Sequence, residues 1–164
     1  MRAYTGADPR DTRPIRVVLA DDESLFVEAL AALLELDERI DVVGRARDGL
    51  EALRLVATAR PDVVLLDLDM PRINGIGAAR ILTAEYPFVH VVIVTGSTLP
   101  EDLERAREAG AAAYVTKDRV HEDLTEILVE VASETENELS PIPWGQGIPD
   151  VAVSRAAASR RESP

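Results

Sequence analysis

From Ile15 onward the chain alternates between two hydropathy patterns. Short runs of consecutive apolar residues, many of them β-branched, begin at Ile15 ("IRVVLA"), Asp41 ("DVVGRA"), Asp62 ("DVVLLD"), Val89 ("VHVVIVT") and Ala112 ("AAYVT"). Each is short for a helix and lacks polar alternation, which marks strands buried on both faces. Between them lie segments with helical spacing. These are "ESLFVEALAALLEL", whose Leu25, Leu30, Leu33 and Leu34 are expected to share a face, "GLEALRLVATAR" from Gly49, "GIGAARILTAEY", "LPEDLERAREAG" and "VHEDLTEILVEVASETENEL". Five strands alternating with five helices predict an α/β domain, a doubly wound five-stranded parallel sheet with helices on both faces.

Outside this pattern the ends read differently. Residues 1–14 ("MRAYTGADPRDTRP") are expected to form a disordered leader, residues 15–139 the domain, and residues 140–164, opening with "SPIPWGQGIPD", a flexible tail. A chain of 164 residues that is 46% hydrophobic has material for one ordinary core. The formal net charge is −12, and since each end carries +1, residues 15–139 hold −14. That charge repels a phosphate backbone, so no direct DNA binding is expected. Much of it falls on the last helix, where Glu122, Asp123, Glu126, Glu130, Glu134, Glu136 and Glu138 have no basic residue among them. A solvated acidic face is the ordinary reading, and docking to a basic partner the sharper one. The chain has no cysteine, which excludes disulfides, thiolate metal sites and cysteine nucleophiles. No apolar stretch approaches the roughly 18 residues of a membrane span, so a cytoplasmic protein without membrane contact is expected.

In a doubly wound sheet the loops leaving the carboxyl ends of the strands converge, and ligands bind there. The first strand ends in Asp21 and Asp22, the third in Asp67, the fourth in Thr95 and the fifth in Lys117. Each has a plain structural alternative: Asp21 or Asp22 as a helix cap, Asp67 as a loop acid, Thr95 as a strand residue, Lys117 as a surface lysine. All nevertheless fall at one edge of the sheet. Two carboxylates about 4 Å apart repel by roughly 4 kcal/mol at an effective dielectric near 20, so crowded acids call for a cation between them. Lys117 supplies one charge, and an all-oxygen site without His or Cys selects a hard divalent ion, Mg²⁺ or Mn²⁺. Such an ion also suits phosphoryl chemistry with a carboxylate nucleophile.

Taken in order, "ADDE", "LLDLDMPRINGI", "VTGS" and "GAAAYVTKD" make the chain resemble the receiver domain of bacterial two-component response regulators, a flavodoxin-like fold. The resemblance rests on Asp21, Asp22, Asp67, Met70, Pro71, Gly75, Thr95, Gly110, Tyr114 and Lys117. It implies that Asp67 accepts a phosphoryl group from a histidine kinase, a phosphotransfer protein or a small phosphodonor. It implies too that Asp22, Asp67 and the backbone carbonyl of Asp69 bind Mg²⁺ directly, with Asp21 acting mainly through water. Lys117 would pair with the phosphoryl oxygens, Thr95 would move to hydrogen-bond them, and Tyr114 would turn inward behind Thr95 as the switch aromatic. Such a domain is a self-phosphorylating and self-dephosphorylating switch rather than a metabolic enzyme, with a second copy of itself among its partners. A half-buried strand aromatic is the plain alternative for Tyr114.

Two departures from the family pattern stand out. Asp118 follows Lys117 where many receivers have a cis proline, as in the branch that includes helix-turn-helix transcription regulators; a cis bond without proline costs roughly 2.5–4 kcal/mol. Gly96 follows Thr95, and its missing side chain is expected to widen access to the site. The 25 residues after Leu139 are fewer than the roughly 50 of an independent domain, which leaves a stand-alone receiver or a truncated transcription regulator as readings. An unphosphorylated dimerisation module is a further alternative. The least favoured takes "DLDMP" as the Asp-x-Asp of a haloacid-dehalogenase-like phosphatase, a motif that usually follows the first strand of its fold.

Overall fold

Every predicted apolar run forms a strand in the computed structural model, which describes residues 13–133 and the backbone of Val153–Arg155. The elements follow as β1 (Ile15–Ala20), α1 (Ser24–Leu34), β2 (Ile40–Ala46), α2 (Gly49–Ala59), β3 (Val63–Leu66) and α3 (Gly75–Glu85). Then come β4 (His90–Thr95), α4 (Pro100–Glu108), β5 (Ala113–Thr116), a 3₁₀ turn at Lys117–Arg119, α5 (Val120–Ala132) and β6 (Val153–Arg155). The sheet order is β2-β1-β3-β4-β5-β6, with the first five strands parallel. β1 lies between β2 and β3, so the chain reverses direction across the sheet there. The carboxyl ends of β1 and β3 therefore border the crevice of the doubly wound fold.

Alternate residues of each strand serve opposite faces. Val17, Leu19, Val63, Leu65, Val92, Val94, Ala113 and Val115 pack with α1 and α5 residues such as Leu30, Leu34, Leu124 and Leu128. Their neighbours Val18, Val64, Leu66, Val91, Ile93 and Tyr114 pack with Ala52, Val56, Ala79, Leu82 and Ala106 of α2, α3 and α4. Both faces of the sheet are covered, as the continuous apolar runs require.

One expectation needs correction, and the five-stranded parallel sheet carries one addition. In α1 the buried residues are Val27, Leu30, Ala31 and Leu34, whereas Leu25 is 83% exposed. Leu25 stands five residues before Leu30, nearly 1.5 turns away, and so on another side of the helix. The sheet also has a sixth strand: β6 runs antiparallel to β5, with Tyr114 opposite Ser154. At three residues it is too short to show a period, yet it gives the outer edge of β5 a backbone partner. Otherwise residues 1–12 and 134–152, with the end of the expected last helix, and residues 156–164 lie outside the described residues. Arg13, assigned above to the leader, clasps Asp62 with two hydrogen bonds of 2.9 and 3.0 Å. The acidic face of α5 is met by arginines from outside the counted run. Arg119 lies 3.5 Å from Asp123, and Arg39 lies 3.0 Å from Glu126.

Candidate functional site

Backbone hydrogen bonds set the spacing of the acidic loops. The Asp67 N–H donates to the Ala20 carbonyl (3.0 Å) and the Asp21 N–H to the Ala46 carbonyl (3.1 Å), which carries the sheet ladder past the last strand residues. One ligand oxygen from each of Asp21, Asp22 and Asp67 lies within 4.8 Å of the others. Gly75 keeps the chain tight behind them: its N–H donates to the Leu68 carbonyl at 3.0 Å, and a Cβ there would lie 2.1 Å from the Asp67 carbonyl oxygen. Only glycine permits that approach.

Asp21 and Asp67 are buried and Asp22 is exposed, so the cluster opens to solvent on one side. Asp21 is not a helix cap. Its Oδ1 accepts from the Glu23 N–H (2.9 Å), while Glu23, itself at the cap position of α1, makes no side-chain cap bond. Lys117 Nζ stands 2.7 Å from Asp21 Oδ2, 2.6 Å from Glu23 Oε1 and 3.7 Å from Asp67 Oδ1, with the Phe26 ring centre 4.5 Å away. The Glu23 contact is an aligned hydrogen bond. Asp21 Oδ2, though close to the ammonium, is buried without any aligned donor.

Asp67 is pushed up to about 6, first by burial and then by the Asp21 charge; Lys117 opposes this and Asp69 adds to it. Burial alone would depress the Lys117 ammonium, but Asp21, Glu23 and Asp67 outweigh it and hold it above the usual lysine range. The crowding anticipated from strand-end acids is thus present in the geometry and visible in the proton affinity of Asp67. Three acids with ligand oxygens within 4.8 Å, two of them buried, and the absence of nitrogen or sulfur ligands fit a hard divalent cation.

The remaining candidates are placed as follows. Asp69 is exposed, and its side chain is outside the cluster. Thr95, buried at the end of β4, accepts from the Ser97 N–H with its hydroxyl (3.2 Å). Tyr114 is fully buried rather than half-buried, and its hydroxyl donates to the Ser97 carbonyl (3.0 Å), so both switch candidates hold the same turn after β4. Burial raises the Tyr114 phenol. Beside Gly96 nothing lies within 4 Å of where a Cβ would sit, so that side is open. The Lys117–Asp118 bond is trans. Glu23 was absent from the residues singled out in the sequence. The signal was there as the third acid of "ADDE", but a glutamate before a helical stretch also suits an ordinary helix start.

Residues 17–129 match the response regulator receiver domain family. The chain belongs to that family. The receiver is 34% identical over 119 residues to the transcriptional regulatory protein LnrK of Bacillus subtilis, covering 73% of this chain and 54% of that protein. It is 39% identical over 111 residues to a protein-glutamate methylesterase/protein-glutamine glutaminase of Pyrococcus abyssi, covering 66% of this chain and 30% of that one. The matched region therefore spans about half or less of these curated relatives. Among solved structures, the signal receiver domain of the response regulator NarL from Mycobacterium tuberculosis superposes with a TM-score of 0.71 at 31% identity, covering 75% of this chain and 99% of that one. The receiver domain of Thermotoga maritima CheB gives 0.70 at 28% identity, with the same coverage. Among the described residues no helix is long and apolar enough to cross a membrane.

Proposed function

We propose that this receiver is a phosphoaspartate switch of a two-component system, with Asp67 as phosphoacceptor and Mg²⁺ held by Asp21, Asp22, Asp67 and the Asp69 carbonyl. The observation that carries the reading is the Asp67 carboxylate itself. It is buried, repelled by Asp21 and pushed up to about 6, with Lys117 Nζ only 3.7 Å away. At neutral pH it is mostly the anion. One carboxylate oxygen attacks the phosphorus of a phosphohistidine or small phosphodonor as the bond from phosphorus to the donor breaks. The departing donor keeps that electron pair and takes a proton from solvent, and Asp67 becomes an acyl phosphate. Asp21, Asp22, Asp67 and the Asp69 carbonyl would hold Mg²⁺, or Mn²⁺, which when bound would supply neutralisation of charge on the transferring oxygens. Lys117 balances the negative charge on the other side, and the Thr95 hydroxyl leaves the Ser97 N–H to donate to the phosphoryl group. Since Tyr114 and Thr95 share the turn at Ser97, that movement reaches the outer surface of α4 and β5 as a shift between two arrangements.

The donor is a sensor histidine kinase or a phosphotransfer protein, and the output runs through protein contacts rather than direct DNA binding, since residues 15–139 carry −14 and repel a phosphate backbone; a second copy is among the candidate partners. The test is incubation with acetyl phosphate or phosphoramidate, with and without Mg²⁺, followed by intact-mass measurement. One phosphoryl group per chain is expected in wild type, with none in Asp67→Asn or in EDTA. Equal labelling of Asp67→Asn overturns the reading, and steady phosphate release from a phosphomonoester points to the phosphatase alternative instead.

A further inference from the structure

We infer that Glu23 is a positioning residue that, together with Asp21, holds the Lys117 ammonium on the solvent side of the pocket and off Asp67, an inference that rests on the phosphoacceptor role of Asp67. An ammonium has three donors to place. In this pocket Glu23 Oε1 takes an aligned one at 2.6 Å. Asp21 Oδ2 pairs with it from inside the pocket at 2.7 Å, while Asp67 Oδ1, at 3.7 Å, is beyond hydrogen-bond reach. The lysine is thus held between buried Asp21 and solvent-side Glu23 rather than on the acid that reacts. The Phe26 ring lies against the ammonium as well. Glu23 is able to do this because its own backbone is pinned: its N–H donates to Asp21 Oδ1, and its extended φ and ψ of −90° and 96° precede α1.

The two ends of this contact differ in a way that suits a latch. The Lys117 side chain is 19% exposed and the Glu23 side chain 64% exposed. An ion pair with one solvated partner is weak and screened by salt. It biases the lysine toward the rim without locking it. A dianionic phosphoryl group on Asp67 attracts the ammonium more strongly than the single carboxylate charge does, so phosphorylation opens the latch. Before transfer, however, Lys117 must leave Glu23 to meet the incoming group. Misplacing a catalytic group by about 1 Å costs as much as 100-fold, and a screened pair recovers only part of that, roughly three- to tenfold.

Glu23→Gln is accordingly expected to raise the maximal rate of labelling by phosphoramidate roughly three- to tenfold with KM for the donor little changed. The control is Glu28→Gln, which removes the same charge from an exposed position one turn along α1 and leaves the rate as in wild type. Removing charge alone would ease approach of the anionic donor and lower KM in both variants. The inference is overturned if the two variants behave alike or if Glu23→Gln leaves the maximal rate unchanged while Asp67 is still labelled. Failure of wild type to label Asp67 instead strikes the phosphoacceptor reading. The latch is then judged in the unphosphorylated protein by the NMR signals of the Lys117 side chain, which must move in Glu23→Gln and stay in Glu28→Gln; unmoved signals overturn it.

Discussion

Asp62 and Asp67 flank the same four-residue strand β3, and their surroundings drive them in opposite directions. Asp62 accepts two hydrogen bonds from the Arg13 guanidinium and one from the Arg16 N–H (2.9 Å). Burial works against its ionisation, but these donors prevail and hold it below the usual carboxylate range. Asp67 is deeper and repelled by the Asp21 charge and less so by that of Asp69, with a lysine beyond hydrogen-bond distance, and is pushed up to about 6. The carboxylate that fastens the amino-terminal end of the sheet is saturated with donors. The one at the carboxyl-terminal end is left short of them, and this deficit suits it to the nucleophile and metal-ligand roles proposed for it rather than to bracing.

The widest separation between the two comes from exchanging each for its neutral isostere. Asp67→Asn is expected to abolish phosphoryl incorporation from acetyl phosphate, read by intact mass, whereas Asp62→Asn is expected to leave it intact. In EDTA, Asp67→Asn is expected to stabilise the fold by about 2–3 kcal/mol at neutral pH. Because the folded-state value is raised, the wild-type penalty is absent below the ordinary carboxylate range, grows as pH rises and is complete above about 6. Urea unfolding across pH should show the gain of Asp67→Asn growing along that course. A comparable effect of opposite sign is expected for Gly75→Ala, whose Cβ would sit 2.1 Å from the Asp67 carbonyl. A loss of roughly 2–3 kcal/mol is expected, together with weakened Mg²⁺ binding by calorimetry.

Asp62→Asn should cost less, about 1–2 kcal/mol at neutral pH, by loss of charge-assisted hydrogen bonds. Its folded-state value is depressed, so this stability is present above the unfolded value and disappears as pH falls through the folded one. The two pH profiles should therefore diverge. Smallest is Tyr114→Phe, which removes the hydroxyl bond to the Ser97 carbonyl and is expected to cost about 1 kcal/mol in unfolding experiments, far from either aspartate's titration.

The contrast was only half legible in the sequence. Strand-end chemistry is readable because an apolar run of β-branched residues shows where a buried strand stops, and the parallel fold then brings Asp21, Asp22, Asp67 and Lys117 to one edge. Asp62 read as the first residue of a strand because its partner, Arg13, lies 49 residues earlier in what looked like a leader. Long-range pairing by a lone arginine leaves no period or motif. Leu25 was misplaced for a different reason: α1 is apolar on more than one side, with exposed Ala29 and Ala32 among its outward positions, so the pattern alone did not select the buried stripe. Glu23 followed the acidic pair and looked like a helix start, and only the position of the Lys117 ammonium shows what it touches.

The most direct test of the unequal pair is a carboxyl-carbon NMR titration of the metal-free protein, with Asp62 and Asp67 assigned from their Asn variants. Asp67 is expected to titrate near 6 and Asp62 below the ordinary carboxylate range, with Mg²⁺ drawing Asp67 downward. An Asp67 that titrates at or below Asp62 and ignores Mg²⁺ would contradict the account.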